Sequence, residues 1–245
     1  MTLMNNISVV IAAAGKGSRS GLSYPKTLFK IDGHPILFRI HNLVNCYDSY
    51  PSIIASPDGK NKINQCLNDF NLNAELLVQA KPSGMGDALL CFKESRFYED
   101  TDHIILIWGD IPFIGSQTLN DMIKAHITRM NDFTFVTRKA EKAYTIVSRN
   151  KNGSVKEVIE TRESGLKKLS KGERDIGIFI FKKDPVMDIL SKRSPTGIGP
   201  FTGEHGFLYV IKELVQNGNA VEALPIAKEI ELVSFNRLED VEKYI

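Results

Sequence analysis

Four short stretches of the chain carry residue types that do chemistry. The first runs Ala12-Ala-Ala-Gly-Lys-Gly-Ser-Arg19 and continues to Tyr24-Pro25-Lys26. Glycines let main-chain amides close on an anion. Lys16, Arg19 and Lys26 add fixed positive charge, so the stretch suits a triphosphate. Its spacing excludes two familiar loops. GxxxxGK[S/T] is absent, and the dinucleotide GxGxxG would need a glycine where Ser20 stands. The plain alternative is a strand-to-helix turn with solvated lysines.

The second stretch is Trp108-Gly109-Asp110-Ile111-Pro112. It follows an apolar run, so Asp110 falls at a strand's carboxyl end, where a carboxylate facing phosphates suits Mg²⁺. A turn with Asp110 as a helix cap is the other reading. The third is Gln79 to Ala88, QAKPSGMGDA. Gln79 offers an amide donor and an acceptor, and Gly84 and Gly86 let backbone pass close to a flat ligand. This is either a base-reading edge or a helix-entry loop. The fourth is Ser234-Phe235-Asn236-Arg237, where Asn236 either caps the last helix or offers its carbonyl oxygen to a metal.

These residues need a scaffold that puts strand ends side by side. Ile7 to Ala14 is a continuous apolar run and reads as a buried parallel strand. Strands at Pro51–Ala55, Glu75–Gln79 and His103–Trp108 alternate with helices at Ile36–Cys46, Asn61–Phe70 and Gly86–Lys93. Such βα repetition predicts an α/β chain with a doubly wound parallel sheet. Ligands then bind beyond the carboxyl ends of the strands. The second half changes character. Strands at Phe133–Thr137, Tyr144–Ser148, Val155–Glu160 and Ile176–Phe181 are joined by short turns, with Asn152-Gly153 marking a hairpin. Helices at Pro185–Ser191 and Gly206–Gln216, a strand near Ile230–Phe235 and a short closing helix complete the chain. No linker composition divides it. The expectation is one domain, residues 1–245, with a nucleotide-binding half to about 130 and an acceptor-binding half from about 131.

Composition narrows the class. The chain has 245 residues, 42% hydrophobic and 24% charged, with a formal net charge of +2. That is globular and carries no general argument for nucleic acid or an anionic membrane. Cys46, Cys66 and Cys91 are scattered and form no CxxC, and the five histidines show no HExxH spacing. A zinc site and a disulfide framework are therefore not expected. No apolar run approaches the roughly 20 residues of a membrane span, and the N-terminal residues lack the pattern of a signal peptide. The expected location is the cytoplasm. Lys167, Lys168, Lys171 and Arg174 form a basic stretch that is either a solvated loop or an aid in binding a phosphorylated acceptor.

In order, AAAGKGSR…PK, QxxxxGxG, GDIP and the late FNR resemble the sugar-1-phosphate nucleotidylyltransferases, most nearly the N-acetylglucosamine-1-phosphate uridylyltransferases. The resemblance runs from Val9 to Glu242. It implies a Rossmann-like, glycosyltransferase A-type nucleotidyltransferase fold, with a mixed, mainly parallel central sheet and a small antiparallel lobe on the sugar side. It implies that Ala13, Ala14, Gly15 and Lys16 hold the nucleotide, with Gly109 beside it, and that Arg19 and Lys26 meet the reacting α-phosphate. It further implies that Gln79, Gly84 and Met85 face the base, that Asp110 and Asn236 hold Mg²⁺, and that Tyr144, Glu160 and Asp175 line the acceptor. The implied reaction joins an NTP, UTP before CTP, to a sugar-1-phosphate with release of pyrophosphate.

Three motifs depart from the resemblance. The family's GTG reads Gly84-Met85-Gly86, its YGR reads Tyr144-Thr145-Ile146, and its NTG reads Asp175-Ile176-Gly177. Two of the three fall on the sugar side, so a different phosphorylated sugar, or a phosphorylated alcohol or amino compound, is open as acceptor. A cytidylyltransferase with a non-sugar acceptor and a silent nucleotide-binding regulator are the competing readings. The DAARP motif of the isoprenoid cytidylyltransferases is absent, and the molybdenum-cofactor relatives open with a different LAGG loop. The expectation from length is a stand-alone nucleotidyl-transfer domain without the acetyl-transferring repeat that follows it in the bifunctional relatives.

Overall fold

A computed structural model describes residues 6–15, 20–165 and 170–244. In chain order the elements are β1 (Ile7–Ala13), β2 (Lys30–Ile31), β3 (His34–Pro35), α1 (Ile36–Val44), β4 (Ser52–Ala55), α2 (Pro57–Asp69), β5 (Glu75–Val78) and α3 (Met85–Leu90). There follow β6 (His103–Trp108), α4 (Ser116–Thr128), β7 (Phe133–Ala143), β8 (Thr145–Arg149), β9 (Val155–Glu160), β10 (Ser170–Lys182), α5 (Lys183–Lys192), α6 (Tyr209–Gln216) and β11 (Val221–Leu224).

Seven strands form one sheet in the order β11-β7-β10-β6-β1-β4-β5. β5, β4, β1 and β6 run parallel, β10 is antiparallel to both β6 and β7, and β11 runs parallel to β7. This is the mixed, mainly parallel sheet that the resemblance implies. β8 and β9 pair by themselves as an antiparallel hairpin, closed by the Asn152-Gly153 turn. The sheet takes strands from both halves of the chain, with β10 inserted between β6 and β7.

The alternation of side chains builds a core on each face of the sheet. Val9 and Ile11 of β1 join Ile105 and Ile107 of β6 beneath α1, α2 and α4. Val10, Ile104 and Leu106 turn the other way, towards α3, α5 and α6, where Phe133, Phe135, Phe179, Phe181 and Phe207 pack ring on ring. Both faces are covered, so β1 and β6 read as unbroken apolar runs instead of alternating ones. No helix among the described residues is long and apolar enough to cross a membrane.

Two expectations are corrected. Residues Ile230–Phe235 are not a strand; Glu229–Leu232 form a 3₁₀ turn. Glu231 turns inward, 1% exposed. Its carboxylate accepts from the Gly115 amide at 2.7 Å, the Thr118 hydroxyl at 3.0 Å and the Lys228 amide at 2.6 Å. It thereby serves the donor-rich start of α4. A strand alternation would have sent it to solvent. The missing edge strand is Val221–Leu224, too short at four residues to stand out in the sequence. The closing helix is two 3₁₀ turns, Leu238–Asp240 and Glu242–Tyr244.

Candidate functional site

β1 and β6 lie side by side at the point where the strand order reverses, with Ala12 opposite Trp108. Ala13 and Ala14 are buried, and Gly15 leads out of β1 into open space. Lys16 and Arg19 lie outside the described residues. Gly109 donates to the Ala12 carbonyl at 2.9 Å. A Cβ there would stand 2.8 Å from that oxygen, so glycine is what lets the Asp110 loop close on the end of β1.

Lys26 opens a 3₁₀ turn behind Pro25. Its Nζ donates to Asn236 Oδ1 at 3.3 Å across 210 positions of sequence. Phe235 brings these ends together. It is fully buried, its ring lies 4.4 Å from that of Phe29, and its amide donates to the Asp110 carbonyl at 2.7 Å. Asn236 is not the cap of the following turn. Asp240 Oδ2 accepts from the amides of Asn236 at 2.9 Å and Arg237 at 2.7 Å. The Asn236 amide nitrogen donates to Ser234 Oγ at 2.8 Å, which turns its oxygen towards the cation of Lys26. An amide oxygen and the Asp110 carboxylate are hard donors of the kind Mg²⁺ takes alongside phosphate oxygens and water, so these residues fit the ion. Among the described residues no group of three or more His, Cys, Asp or Glu is placed to hold a metal without such help.

On the predicted base side, Gln79 is buried and its Nε2 donates to the Gly84 carbonyl at 2.9 Å, closing the loop on itself. Gly84 has φ +111°, and Cβ atoms on Gly84 and Gly86 would stand 2.3 Å from the carbonyls of His205 and Gly206. The close approach permitted by these glycines is therefore to the chain's own backbone. The Gly86 amide donates to the His205 carbonyl at 2.9 Å, and the His205 amide to the Ser83 carbonyl at 2.7 Å. Beneath them Asp87 joins His205 Nδ1 at 2.8 Å and the Arg193 guanidinium. Burial works to raise the Asp87 pKa, but the hydrogen bonds from Arg193, Ser83 and His205 outweigh it, and the net shift is downward. His205 Nε2 meets the Tyr209 hydroxyl at 3.1 Å. Nothing in the sequence singled out the Asp87 partners Arg193 and His205, because they lie 106 and 118 positions away from it.

The predicted acceptor residues divide. Glu160 ends β9 beside Arg162, whose Nε donates to it at 3.1 Å; burial raises its carboxyl pKa despite that partner. Tyr144 is 44% exposed. Asp175 is not on the surface at all. At 1% exposure it accepts from the Thr145 hydroxyl and, at 3.0 Å, from the Gly177 amide, and burial raises its pKa. These bonds close a bulge in β10 between Asp175 and Phe179. Gly177 has φ +84° there, and a Cβ would lie 2.9 Å from the Trp108 ring.

A cavity of about 280 Å³ joins the two sides. Tyr144, Arg174, Ser234, Asn236, Glu239 and Asp240 are among its walls. Of the basic stretch read in the sequence, Lys167 and Lys168 lie outside the described residues, and Lys171 pairs with Glu141 at 2.6 Å on the surface. Arg174 is buried, with its guanidinium 5.4 Å from the Tyr144 ring centre. A larger open groove of about 610 Å³ between α1 and residues 111–116 is lined by none of the sequence-predicted site residues.

The sheet, its reversal point and the loops gathered there have the nucleotidyltransferase fold. In keeping with this, 97% of the chain superposes on 93% of a chain described as a glucose-1-phosphate thymidylyltransferase from Bacillus anthracis, solved with sucrose, at a TM-score of 0.78 and 15% identity. Residues 9–176 match the MobA-like NTP transferase domain, and the chain belongs to that family, which makes it a nucleotidyltransferase by descent. Its curated relatives include the bifunctional protein GlmU of Buchnera aphidicola, 30% identical over 180 residues, covering 73% of this chain and 38% of that protein. GlmU of Thermodesulfovibrio yellowstonii is 25% identical over 232 residues, covering 94% and 49%. The chain thus spans about half the length, or less, of these relatives.

Proposed function

We propose that the chain transfers a nucleotidyl group from an NTP, UTP by preference, to a sugar-1-phosphate and releases pyrophosphate. One observation carries the reading: Lys26, Asp110 and Asn236 converge at the carboxyl ends of β1 and β6 although they come from three distant parts of the chain. Their neighbours fit the reaction. The amides after Ala13 and the open Gly15 approach phosphate oxygens, Lys16 and Arg19 follow directly in the sequence, and Gln79 and the Gly84-Met85-Gly86 loop border the base.

Nucleotidyl transfer asks little covalent chemistry of the protein; position and charge compensation suffice. An oxygen of the acceptor's phosphate attacks the α-phosphorus in line. The bond from that phosphorus to the oxygen bridging to the β-phosphate breaks, and pyrophosphate carries that electron pair away. Lys26 neutralises charge on the α-phosphate as it is passed. Mg²⁺, when held by Asp110 and Asn236, would supply Lewis-acid stabilisation of that charge. Glu160, whose carboxyl pKa burial raises, faces the acceptor's hydroxyls. The sugar-1-phosphate class follows the resemblance to the thymidylyltransferase fold and the GlmU relatives.

The test is pyrophosphate release with each NTP against glucose 1-phosphate, glucosamine 1-phosphate, N-acetylglucosamine 1-phosphate and a non-sugar phosphate ester, with products read by mass. Release with a sugar-1-phosphate and UTP is expected. NTP binding without release in any pairing would replace the enzyme reading by that of a regulator.

A further inference from the structure

The reaction above gives Arg174 no task, and its surroundings are unusual. It is 8% exposed. Its Nε donates to the Asp175 carbonyl at 3.1 Å, and its guanidinium lies over the Tyr144 ring. Asp175, the adjacent acid, spends its oxygens on Thr145 and Gly177. On β7 the residue directly opposite Arg174 is Arg138, whose Nη1 donates to the Ala227 carbonyl at 2.8 Å. Among the described residues neither arginine forms an ion pair. Residues opposite one another in an antiparallel pair share a face, and like charges there repel. Asp175 feels the charge of Arg174, but its oxygens bond to Thr145 and Gly177. No carboxylate among the described residues bonds the buried guanidinium, a costly state for a buried cation, while Arg138 opposite is half-buried. The arrangement is what an anion-binding wall requires when its anion arrives with a ligand.

The anion's place is defined by the cavity. Arg174 and Asn236 both line it, and Asn236 Oδ1 is 3.3 Å from Lys26 Nζ. Glu239 and Asp240 form part of the wall as well, but Asp240 Oδ2 is engaged by two backbone amides. At about 280 Å³ the space lies at the small end of ligand pockets, which run from roughly 300 Å³ upwards. It suits one phosphate group and its immediate substituent, not a nucleotide.

We propose that Arg174, held by Tyr144 and charged against Arg138, binds the phosphate of the acceptor beside Asn236 and sets the enzyme's requirement for a phosphorylated acceptor. The proposal rests on the nucleotidyl-transfer reading for its ligand and adds the residue that recognises it. An arginine fork grips a phosphate through paired N–H donors, whereas lysine offers a point charge.

The experiment compares wild type with Arg174→Met and Arg174→Lys. Binding of glucose 1-phosphate and of inorganic phosphate is titrated with and without Mg²⁺ and a non-hydrolysable UTP analogue, and Tm is recorded without any added anion. Arg174→Met is expected to weaken both phosphate probes at least tenfold, with analogue affinity within twofold of wild type. Arg174→Lys is expected to fall between. In the absence of anion, Arg174→Met should melt close to the wild-type temperature, because relief from the charge on Arg138 offsets the loss of attraction to Asp175. Unchanged phosphate affinity in a folded Arg174→Met variant overturns the proposal, as does a matching loss of analogue affinity, which would assign Arg174 to the nucleotide. A drop in Tm with phosphate affinity intact would make Arg174 a packing residue. If wild type binds no analogue, the function reading fails, while the phosphate titrations without nucleotide still decide the role of Arg174.

Discussion

The amide of Phe235 donates to the carbonyl of Asp110 at 2.7 Å. This main-chain bond, with the Phe235 ring buried against Phe29, ties the end of β6 to a segment 125 positions later and sets Asn236 beside Lys26. Because backbone atoms make it, a change of the Asp110 side chain leaves this bond in place.

It follows that Asp110→Ala keeps the fold while losing function. The expected loss in Mg²⁺-dependent turnover is about 10²-fold or more, with Tm near that of wild type. Steady-state kinetics over a Mg²⁺ series, alongside thermal melts, check this. Activity close to wild type would remove the metal role of Asp110.

Gly86 is predicted to be intolerant of alanine for a reason internal to the protein. The new Cβ would stand 2.3 Å from the Gly206 carbonyl, so backbone must shift at a cost of about 1–3 kcal/mol. The shift separates the base-side loop from His205. Chemical denaturation should show the loss, and KM for the nucleotide should rise more than KM for the acceptor. Equal change in both would mean that the loop does not border the base.

Asp175→Asn tests whether that residue touches the acceptor. Burial raises the folded pKa of Asp175 above its unfolded value, so its contribution to stability is full at low pH and is lost as pH rises through the folded pKa. An asparagine can accept from the Gly177 amide while its NH₂ meets the Thr145 hydroxyl, which either donates or accepts. The variant should match or exceed wild-type Tm at neutral pH, with the difference shrinking as pH falls. Acceptor KM should not move; a severalfold change would put Asp175 in the acceptor pocket after all.

A pH dependence of the opposite sign comes from the far end of the sheet. His103 Nδ1 lies 2.9 Å from His126 Nε2, and His126 Nδ1 lies 3.0 Å from Thr134 Oγ1. Burial lowers both pKa values, that of His126 to about 3 with the help of charge on His103. The unfolded chain, titrating near 6.5, therefore takes up protons first. Stability is full above about pH 6.5 and falls as pH drops from there, by up to about 1.4 kcal/mol per pH unit for each such proton. Urea unfolding at pH 7.5, 6.0 and 5.0 measures the slope, and His126→Asn should flatten it. A slope unaltered by that variant would assign the loss to other groups.

Much of the scaffold was legible in the sequence because local composition dictates it. Ile7–Ala13 and His103–Trp108 are almost wholly apolar, broken only by Ser8 and His103, and read as buried strands. Asn152-Gly153 could hardly be other than a tight turn. Glu231 defeated the same reasoning. Apolar neighbours on both sides made its segment look like a strand, and only the donors at the start of α4, more than a hundred positions away, explain why it turns inward.

The sequence by itself determined the chemistry on offer: a glycine and lysine loop after the first strand, an acid after the β6 strand, and an amide near the end. Those are properties of residue type and of position along a strand. Tertiary structure decided which of them meet and which are already spoken for. Asn236 faces Lys26 because Asp240 takes over the capping. Gly84 and Gly86 admit His205, and Asp175 closes a bulge in β10. Arg174 becomes a buried cation because strand register sets it opposite Arg138. Each depends on hydrogen bonds, packing or strand register between distant segments, and no local pattern records which partner a side chain will meet.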